Sequence, residues 1–229
     1  MTLPILYSLR NCPYAMRARI AIYKSKLAVE LRDLVLTDKP AEMLAASPKG
    51  TVPTLVIAPS TVIDESVDVM LWALAQSDPA NLLREEEHRC ELINYETKQP
   101  TKFNHILALI YLFDSEFKPC LEAYKCAKRY HEDNLLACRE ACEVFIQNLE
   151  QRLTAHSYLI DNKESMADIA LLPFIRQFAK VERQWYLQSN YPEVKRWLNQ
   201  YLQSSMFNKV MKKYPLWSSG QAVLSFGDI

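Results

Sequence analysis

The stretch Leu9-Arg-Asn-Cys-Pro-Tyr-Ala-Met-Arg-Ala-Arg-Ile20 joins two elements of different type and decides the fold of the first part of the chain. The apolar run from Leu3 to Leu9 is typical of a buried strand, whereas the pattern from Pro13 to Lys26 predicts a helix. Proline is favoured at the first helical position, because the N–H that it lacks would have no partner there. Cys12 therefore stands where a strand ends and a helix begins.

The next residues continue to alternate between strand and helix patterns. Further strands are predicted over residues 29–36, 54–57 and 61–63, and further helices over residues 40–46 and 66–76. The resulting order, β-α-β-α-β-β-α, is typical of a mixed sheet with helices. The sequence therefore predicts an α/β domain over residues 1–78.

After Asp78 and Pro79 the pattern changes to long helical repeats with few breakers. Helices are predicted over residues 82–117 with a kink at Pro100, over 121–153 beyond Pro119, and over 165–183, 192–203 and 205–212. The segment Ser165-Met-Ala-Asp168 predicts a capping box at the start of one of them. We expect an all-α domain over residues 82–229, with a loosely ordered tail from Ser218 onward.

Composition excludes several classes of function. The chain has 27 Lys and Arg residues against 27 Asp and Glu residues, so no overall charge favours nucleic acid as a partner. No apolar run is long enough to cross a membrane and no secretion signal is evident, which predicts a soluble, cytoplasmic protein. Glycine occurs only at positions 50, 220 and 227, which excludes glycine-rich nucleotide-binding loops. The six cysteines and four histidines lack metal-ligand spacing, so we expect reduced thiols and no metal.

The position of Cys12 points to thiol chemistry. A thiol at the mouth of a helix meets the partial positive charge of unpaired amide groups, which favours the thiolate. Thiolate is the nucleophile in disulfide exchange. Arg10 adds positive charge nearby, and Arg17 and Arg19 either do the same or are solvated residues of the helix. The alternative for Cys12 is a buried structural thiol.

The motif Cys12-Pro-Tyr-Ala15 resembles the glutaredoxin active-site pattern with its second cysteine replaced by alanine. Together with the all-α second half, the chain is similar to the cytosolic glutathione transferase family, especially its cysteine-containing, omega-like members. This resemblance covers nearly the whole chain and implies the glutathione transferase fold, a thioredoxin-like α/β N-terminal domain plus an all-α C-terminal domain. It also implies glutathione as the cosubstrate and no metal. With one thiol in the motif, an exchange cycle needs a second thiol, and glutathione is its obvious source.

The resemblance further implies a glutathione site around Cys12, the catalytic residue. Glu65 and Ser66 are similar to the pair that holds the γ-glutamyl group, and Lys39 is similar to the lysine that approaches the glycine end. Thr51-Val-Pro-Thr54 resembles a loop with a cis-proline, in which Val52 offers its backbone to the cysteinyl part. The remaining residues of the implied site are Pro13, Tyr14 and Pro53.

The resemblance also implies a second substrate and a partner chain. A hydrophobic pocket between the domains is expected to be lined by Tyr7, Tyr111 and Phe113. The second substrate is expected to be a small or protein disulfide, or dehydroascorbate. A homodimer is expected as well.

Two other functions remain open. Related enzymes use a hydroxyl at the end of the first strand to stabilise the thiolate of glutathione, so Tyr7 or Ser8 could direct conjugation of glutathione to electrophiles. Non-catalytic relatives, such as the stringent starvation protein A, share the fold and act by binding RNA polymerase. Intracellular chloride channel proteins share the fold and the cysteine, but no membrane-length segment supports that reading here.

Overall fold

The computed structural model describes residues 3–58, 60–84 and 101–227, which fall into two compact units. One unit comprises residues 1–80 together with 203–229, and the other comprises residues 81–202. The prediction placed residues 203–229 in the helical domain, and that part of the predicted boundary is wrong. The reason is that the C-terminal segment packs on the elements of the first unit and pairs with its sheet.

The first unit follows the predicted order of strands and helices. Its elements are β1 (Ile5–Ser8), α1 (Pro13–Ser25), β2 (Val29–Asp33), α2 (Ala41–Ala46), β3 (Thr54–Ala58), β4 (Thr61–Ile63) and α3 (Ser66–Gln76). The predicted mixed sheet is confirmed, because β1 pairs parallel to β2 and antiparallel to β3. Helices α1 and α3 pack against each other.

A strand from the far end of the chain completes this sheet. β5 (Ser225–Phe226) pairs antiparallel with β2, which gives the strand order β4-β3-β1-β2-β5. Just before it, the backbone N–H of Trp217 donates to the C=O of Asp33 at 2.8 Å. The prediction of a loosely ordered tail from Ser218 is therefore wrong. An open edge of β2 would leave backbone groups unpaired, and the C-terminal segment pairs them.

The described part of the second unit contains helices and no strand, as predicted. Its helices are α4 (Lys102–Leu112), α5 (Lys118–Tyr130), α6 (Leu135–Ala155), α7 (Met166–Val181), α8 (Arg183–Gln188) and α9 (Pro192–Leu202). The chain then returns to the first unit through α10 (Ser205–Val210), which packs on α1. Among residues 3–58, 60–84 and 101–227, no helix is long and apolar enough to cross a membrane.

Several helix boundaries differ from the prediction. The helix predicted over 121–153 is broken at His131, whose backbone adopts a left-handed conformation with φ of 55° and ends α5. Pro119 does not separate two helices; it lies in the first turn of α5, which continues from a π-helical turn over Phe113–Phe117. Residues 82–84 are not helical, and the kink predicted at Pro100 lies outside the described residues.

The capping box predicted at Ser165 and Asp168 is present at the start of α7. The Asp168 carboxylate accepts hydrogen bonds from the backbone N–H and the hydroxyl of Ser165, at 2.9 and 2.7 Å. It also accepts from the backbone N–H of Leu159 and from Nε1 of Trp197, each at 3.0 Å. Asp168 is fully buried, and this burial raises the pKa of its carboxyl to about 6, against the lowering effect of the four donors.

Candidate functional site

Cys12 is the residue at which helix α1 begins. It occupies the N-cap position with an extended backbone, and its side chain makes no hydrogen bond to the first turn of the helix. No acidic residue lies in that first turn, so the helix supplies no carboxylate of its own to the amide groups there. The amides at a helix start carry partial positive charge, which suits an anionic group. This helix end is thus suited to hold the reactive form of a cysteine.

The loop before β3 lies against the Cys12 thiol. The Sγ atom of Cys12 is 3.8 Å from the C=O oxygen of Val52, to which its S–H donates. The peptide bond between Val52 and Pro53 is cis. Cys12 is half-buried, and its sulfur is held beside this loop.

The Lys39 side chain lies on the same loop. Gly50, two positions before Val52, has a φ of +58°, a left-handed conformation that favours glycine. A Cβ atom at Gly50 would lie 3.2 Å from Nζ of Lys39. The ammonium group of Lys39 is therefore placed over the loop that also contacts Cys12.

Glu65 and Ser66 lie together at the start of α3. Glu65 is the N-cap residue, its side chain makes no capping hydrogen bond, and its carboxylate forms an ion pair with Lys49. The Glu65 side chain is 64% exposed, and exposed ion pairs of this kind contribute little to stability. Ser66 is buried, and its hydroxyl oxygen accepts a hydrogen bond from Nη1 of Arg17 at 3.5 Å.

The first unit thus contains all of the residues that the resemblance assigned to glutathione. Cys12 and Val52 are in direct contact, and Ser66 is connected to the same helix, α1, through Arg17. Pro13 and Tyr14 form the first turn of that helix. The geometry offers a half-buried thiol beside the cis-proline loop, and a second helix start supplied with an acid and a hydroxyl.

The two hydroxyls of β1 are held by arginines. The Tyr7 hydroxyl accepts a hydrogen bond from Nη1 of Arg32 at 2.9 Å, and the Ser8 hydroxyl accepts one from Nε of Arg19 at 2.7 Å. Tyr7 is only 2% exposed and Ser8 is fully buried. Burial also raises the pKa of Tyr7. A hydroxyl that stabilises the thiolate of a ligand must reach that ligand, and this arrangement keeps both hydroxyls inside the domain.

Two of the three aromatic residues predicted to line a second-substrate pocket lie in packed cores. Tyr7 belongs to the core of the first unit, and Phe113 is 1% exposed and packs on the rings of Phe117 and Phe145. This packing contradicts a pocket-lining role for Tyr7 and Phe113, since neither offers surface to a ligand. Tyr111 is 56% exposed, and its role stays a prediction.

Two of the other described cysteines differ from Cys12 in their burial. Cys142 is fully buried, and burial raises the pKa of its thiol to about 12, which is typical of a structural thiol. Cys126 is exposed in the middle of α5. Cys90 lies outside the described residues. Within the part of the chain that the structure describes, no group of three His, Cys, Asp or Glu side chains could hold a metal ion.

Sequence reasoning missed the role of the arginines in α1. Arg17 and Arg19 were expected near Cys12 as surface charges or solvated residues, yet both side chains are completely buried. Arg19 forms an ion pair with Asp33 at 2.6 Å. The signal was available in the sequence, because these two arginines are the only polar residues between positions 15 and 22.

Arg32, on β2, makes contacts that no feature of the sequence indicated. The guanidinium group of Arg32 lies 4.2 Å from the ring centroid of Trp217 and also donates to Tyr7. The two stacked residues are far apart in sequence, so no local pattern predicts their contact.

Two protein-family models match the chain. The model described as the glutathione S-transferase N-terminal domain matches residues 6–81, and the model of the glutathione S-transferase C-terminal domain matches residues 109–204. Together the two matched segments cover most of the chain.

Solved structures share the whole fold. A glutathione S-transferase I bound with lactoylglutathione has a TM-score of 0.72 at 18% identity, over 92% of this chain and 99% of that one. A glutathione transferase family member from Pseudomonas fluorescens, with two glutathione bound, has a TM-score of 0.73 at 18% identity, over 91% and 92%. A serine-to-cysteine mutant of poplar glutathione transferase F1 has a TM-score of 0.72 at 17% identity, over 92% and 97%. Their likeness confirms the predicted fold, an α/β N-terminal domain followed by a helical one.

Proposed function

We propose that this chain, which belongs to the glutathione S-transferase family, is a glutathione-dependent thiol transferase in which Cys12 is the nucleophile. The single observation that supports the proposal is the position of Cys12. This residue begins a helix without a side-chain cap, and its thiol lies beside Val52 and the cis-proline loop. A half-buried thiol at such a helix end combines reactivity with access.

The reaction consists of two thiol–disulfide exchanges. In the first, the Cys12 thiolate attacks the glutathionyl sulfur of a mixed disulfide, an S–S bond forms between Cys12 and glutathione, and the other thiolate leaves and takes a proton. In the second, the thiolate of another glutathione attacks the glutathionyl sulfur, which releases oxidised glutathione and restores the Cys12 thiolate. Because Ala15 stands where a resolving cysteine would be, the second glutathione must come from solution.

The surrounding residues suit the parts of glutathione. We assign the γ-glutamyl ammonium to the Glu65 carboxylate, and the γ-glutamyl carboxylate to Ser66 and the first amides of α3. The backbone of Val52 is assigned to the cysteinyl part, in the manner of an added strand. Lys39, placed over the loop at Gly50, is assigned to the glycine carboxylate. Pro13, Tyr14 and Pro53 complete the walls of the site.

Conjugation of glutathione to electrophiles by Tyr7 or Ser8 is the weaker candidate. Each of these hydroxyls is buried and accepts a hydrogen bond from an arginine. A non-catalytic binding role, like that of the stringent starvation protein A, needs neither a reactive thiol nor a glutathione site. Activity toward a glutathione mixed disulfide separates the three functions.

The test compares two cysteine variants with the wild type. Cys12→Ser removes the nucleophile and keeps the pocket, because a serine hydroxyl does not ionise near neutral pH. We expect it to lose thiol-transferase activity by more than about a hundredfold, while it still binds glutathione. The matched control is Cys126→Ser, which removes an exposed thiol from α5 and should keep full activity.

Mass spectrometry completes this test. The wild type incubated with oxidised glutathione should carry one glutathione adduct on Cys12, and Cys12→Ser should carry none at that position. If Cys12→Ser is fully active and the wild type conjugates electrophiles without ever carrying the adduct, the thiol-transfer mechanism is wrong. If glutathione binds and no variant or substrate shows turnover, the binding role is favoured instead.

Substrate, assembly and location follow from the same proposal. A small or protein disulfide is the substrate class that these two exchanges require; dehydroascorbate, which has no sulfur, would instead be reduced to ascorbate as the Cys12 thiol and one glutathione form a mixed disulfide. We infer a homodimer, which light scattering at micromolar concentration would test, and a location in the reducing cytoplasm, where glutathione is kept reduced.

A further inference from the structure

A groove in the second unit is lined by α4, by the last turn of α6 and by the loop that follows α6. Its volume is about 360 Å³, which lies within the range of small-molecule sites. The α4 residues that line it stand at positions i, i+3, i+4 and i+7, so they share one face of the helix. The lining residues are His105, Ala108, Leu109, Leu112, Arg152 and Ile160.

Most of the groove is aliphatic. Ala108, Leu109, Leu112 and Ile160 form what we call the aliphatic wall. Leu109 is buried, whereas Leu112 is 37% exposed, so part of this apolar surface is open to a ligand. No Phe, Tyr or Trp is among the described residues that line the groove, so it offers no large ring for an aromatic ligand to stack on. The wall therefore suits an aliphatic chain.

Arg152 brings a positive charge to this groove. Its Nε atom donates to Oδ1 of Asn148 at 2.9 Å and its Nη1 atom donates to the C=O of Leu159 at 3.4 Å, and both acceptors are uncharged. Among residues 3–58, 60–84 and 101–227, Arg152 forms no ion pair, whereas Arg139 on the same helix pairs with two carboxylates. A guanidinium group has five N–H donors, so the half-buried Arg152 keeps both donors and charge for an anion.

The charges beside the groove also favour an anion. Asp161 follows Ile160 in the chain, and its carboxylate pairs with Arg84 at 3.3 Å and with Lys102 at 3.2 Å. Two cations thus more than balance this carboxylate. His105 adds an imidazole group, which can donate a hydrogen bond, on the α4 side of the groove. A carboxylate that enters the groove therefore meets positive charge on balance.

We propose that this groove binds a straight-chain aliphatic carboxylate, with its head group on Arg152 and its chain along the aliphatic wall. The charge selects the head group, because an uncharged head group gains no ion pair with the guanidinium. The aliphatic side chains select the tail, because they bury its methylene groups. The groove contains none of the residues assigned to glutathione, so this inference does not depend on the proposed function.

The test uses two ligands with the same chain, octanoate and the uncharged octan-1-ol. Calorimetry should show that the wild type binds octanoate at least about tenfold more tightly, since hydrogen bonds between charged groups are worth that much. Arg152→Gln keeps a donor for Leu159 and removes the charge, so it should bind the two ligands equally. Ala108→Phe fills the groove and should abolish binding of both. Its matched control, Ala123→Phe at an exposed position of α5, should bind both as the wild type does.

Several results would overturn the inference. Equal affinity of the wild type for octanoate and octan-1-ol, or no binding of either, excludes the charge-selected site. Unchanged octanoate affinity in Ala108→Phe means that the ligand binds elsewhere. Should Arg152→Gln fail to fold, these two comparisons decide the question. A rigid aromatic acid, 2-naphthoate, should bind more weakly than octanoate, and tighter binding would contradict the choice of an aliphatic chain.

The outcome is separable from that of the proposed function. Cys12→Ser should bind octanoate as the wild type does, because the thiol has no part in this groove. Loss of octanoate binding in Cys12→Ser would contradict a site confined to the second unit. Octanoate binding by a wild type that shows no thiol transfer would support this inference while the proposed function fails.

Discussion

Helices α1 and α7 begin in opposite ways. At α7 the N-cap Ser165 and the buried Asp168 are joined by hydrogen bonds. The Asp168 carboxylate also accepts hydrogen bonds from the backbone N–H of Leu159 and from Nε1 of Trp197. At α1 the N-cap is Cys12, whose side chain bonds to none of the amides of the first turn. A helix start that is closed by its own side chains serves the fold, whereas one that is left uncapped beside a thiol can serve an anionic sulfur.

The largest expected effect comes from opening the closed helix start. Asp168→Ala would leave the buried donors of Ser165, Leu159 and Trp197 without an acceptor, and we expect a loss of about 4 kcal/mol in the free energy of unfolding. Urea denaturation measures it. Cys12→Ser is the matched change at α1 and should alter stability by less than about 1 kcal/mol. Equal losses in the two variants would end the contrast between the two helix starts.

The buried carboxylate should also make stability depend on pH. Because burial raises the pKa of Asp168 from its ordinary 3.8 to about 6, the folded state holds a proton that the unfolded state has released between these values. The contribution of this group to stability is therefore fully present below about pH 4 and is lost as the pH rises toward 6, a change of about 3 kcal/mol. Asp168→Asn cannot titrate, so the stability difference between wild type and variant should shrink over this range. A constant difference from pH 4 to 6.5 would contradict the raised pKa.

A smaller effect is expected from the tyrosine at the end of β1. Tyr7→Phe removes the hydrogen bond with Arg32 and should cost about 1 kcal/mol of stability, while thiol-transferase activity stays unchanged. Stopped-flow assays measure thiol transfer and glutathione conjugation, and thermal unfolding measures the stability of the same variant. Loss of activity without loss of stability would mean that the hydroxyl serves the reaction and that the thiol at α1 is not the main reactive group.

The smallest effect should come from placing a charge near the uncapped helix start. Asn11→Asp changes an exposed amide to a carboxylate of the same shape, one residue before Cys12. The negative charge competes with the thiolate for the helix amides, so we expect thiol transfer to slow by about threefold at low salt. Steady-state rates at two salt concentrations measure this, with Asn11→Gln as the uncharged control. A faster reaction in Asn11→Asp would show that the amides of α1 do not act on the thiolate.

These two helix starts were also the most predictable parts of the chain. The capping box of α7 and the junction at Cys12 and Pro13 are local patterns, and local patterns dictate the conformation of a few neighbouring residues. The order of strands and helices in the first unit followed from hydrophobic periodicity for the same reason.

The errors lie where distant residues decide the outcome. The break at His131 carries no glycine or proline, so the residues that usually mark the end of a helix are missing there. Tyr7 and Phe113 are aromatic, a residue type found both in hydrophobic pockets and in cores, and the structure packs them in cores. Sequence alone does not distinguish these two environments. The burial of Arg17 depends on the neighbouring helix α3, which is formed by residues more than forty positions later.

The pairing of β5 with β2 has a consequence for synthesis. On the ribosome, β1 and β2 emerge before the C-terminal segment that pairs with β2. The backbone C=O of Asp33 accepts from Trp217, and Ser225–Phe226 pair with β2 only after the whole of the second unit has been translated. Until then the nascent domain presents a free strand edge, the kind of surface that recruits chaperones or pairs with another nascent chain. A premature stop codon after Val210 would therefore release a protein that retains Cys12, α1 and α3 and yet carries an open edge for aggregation.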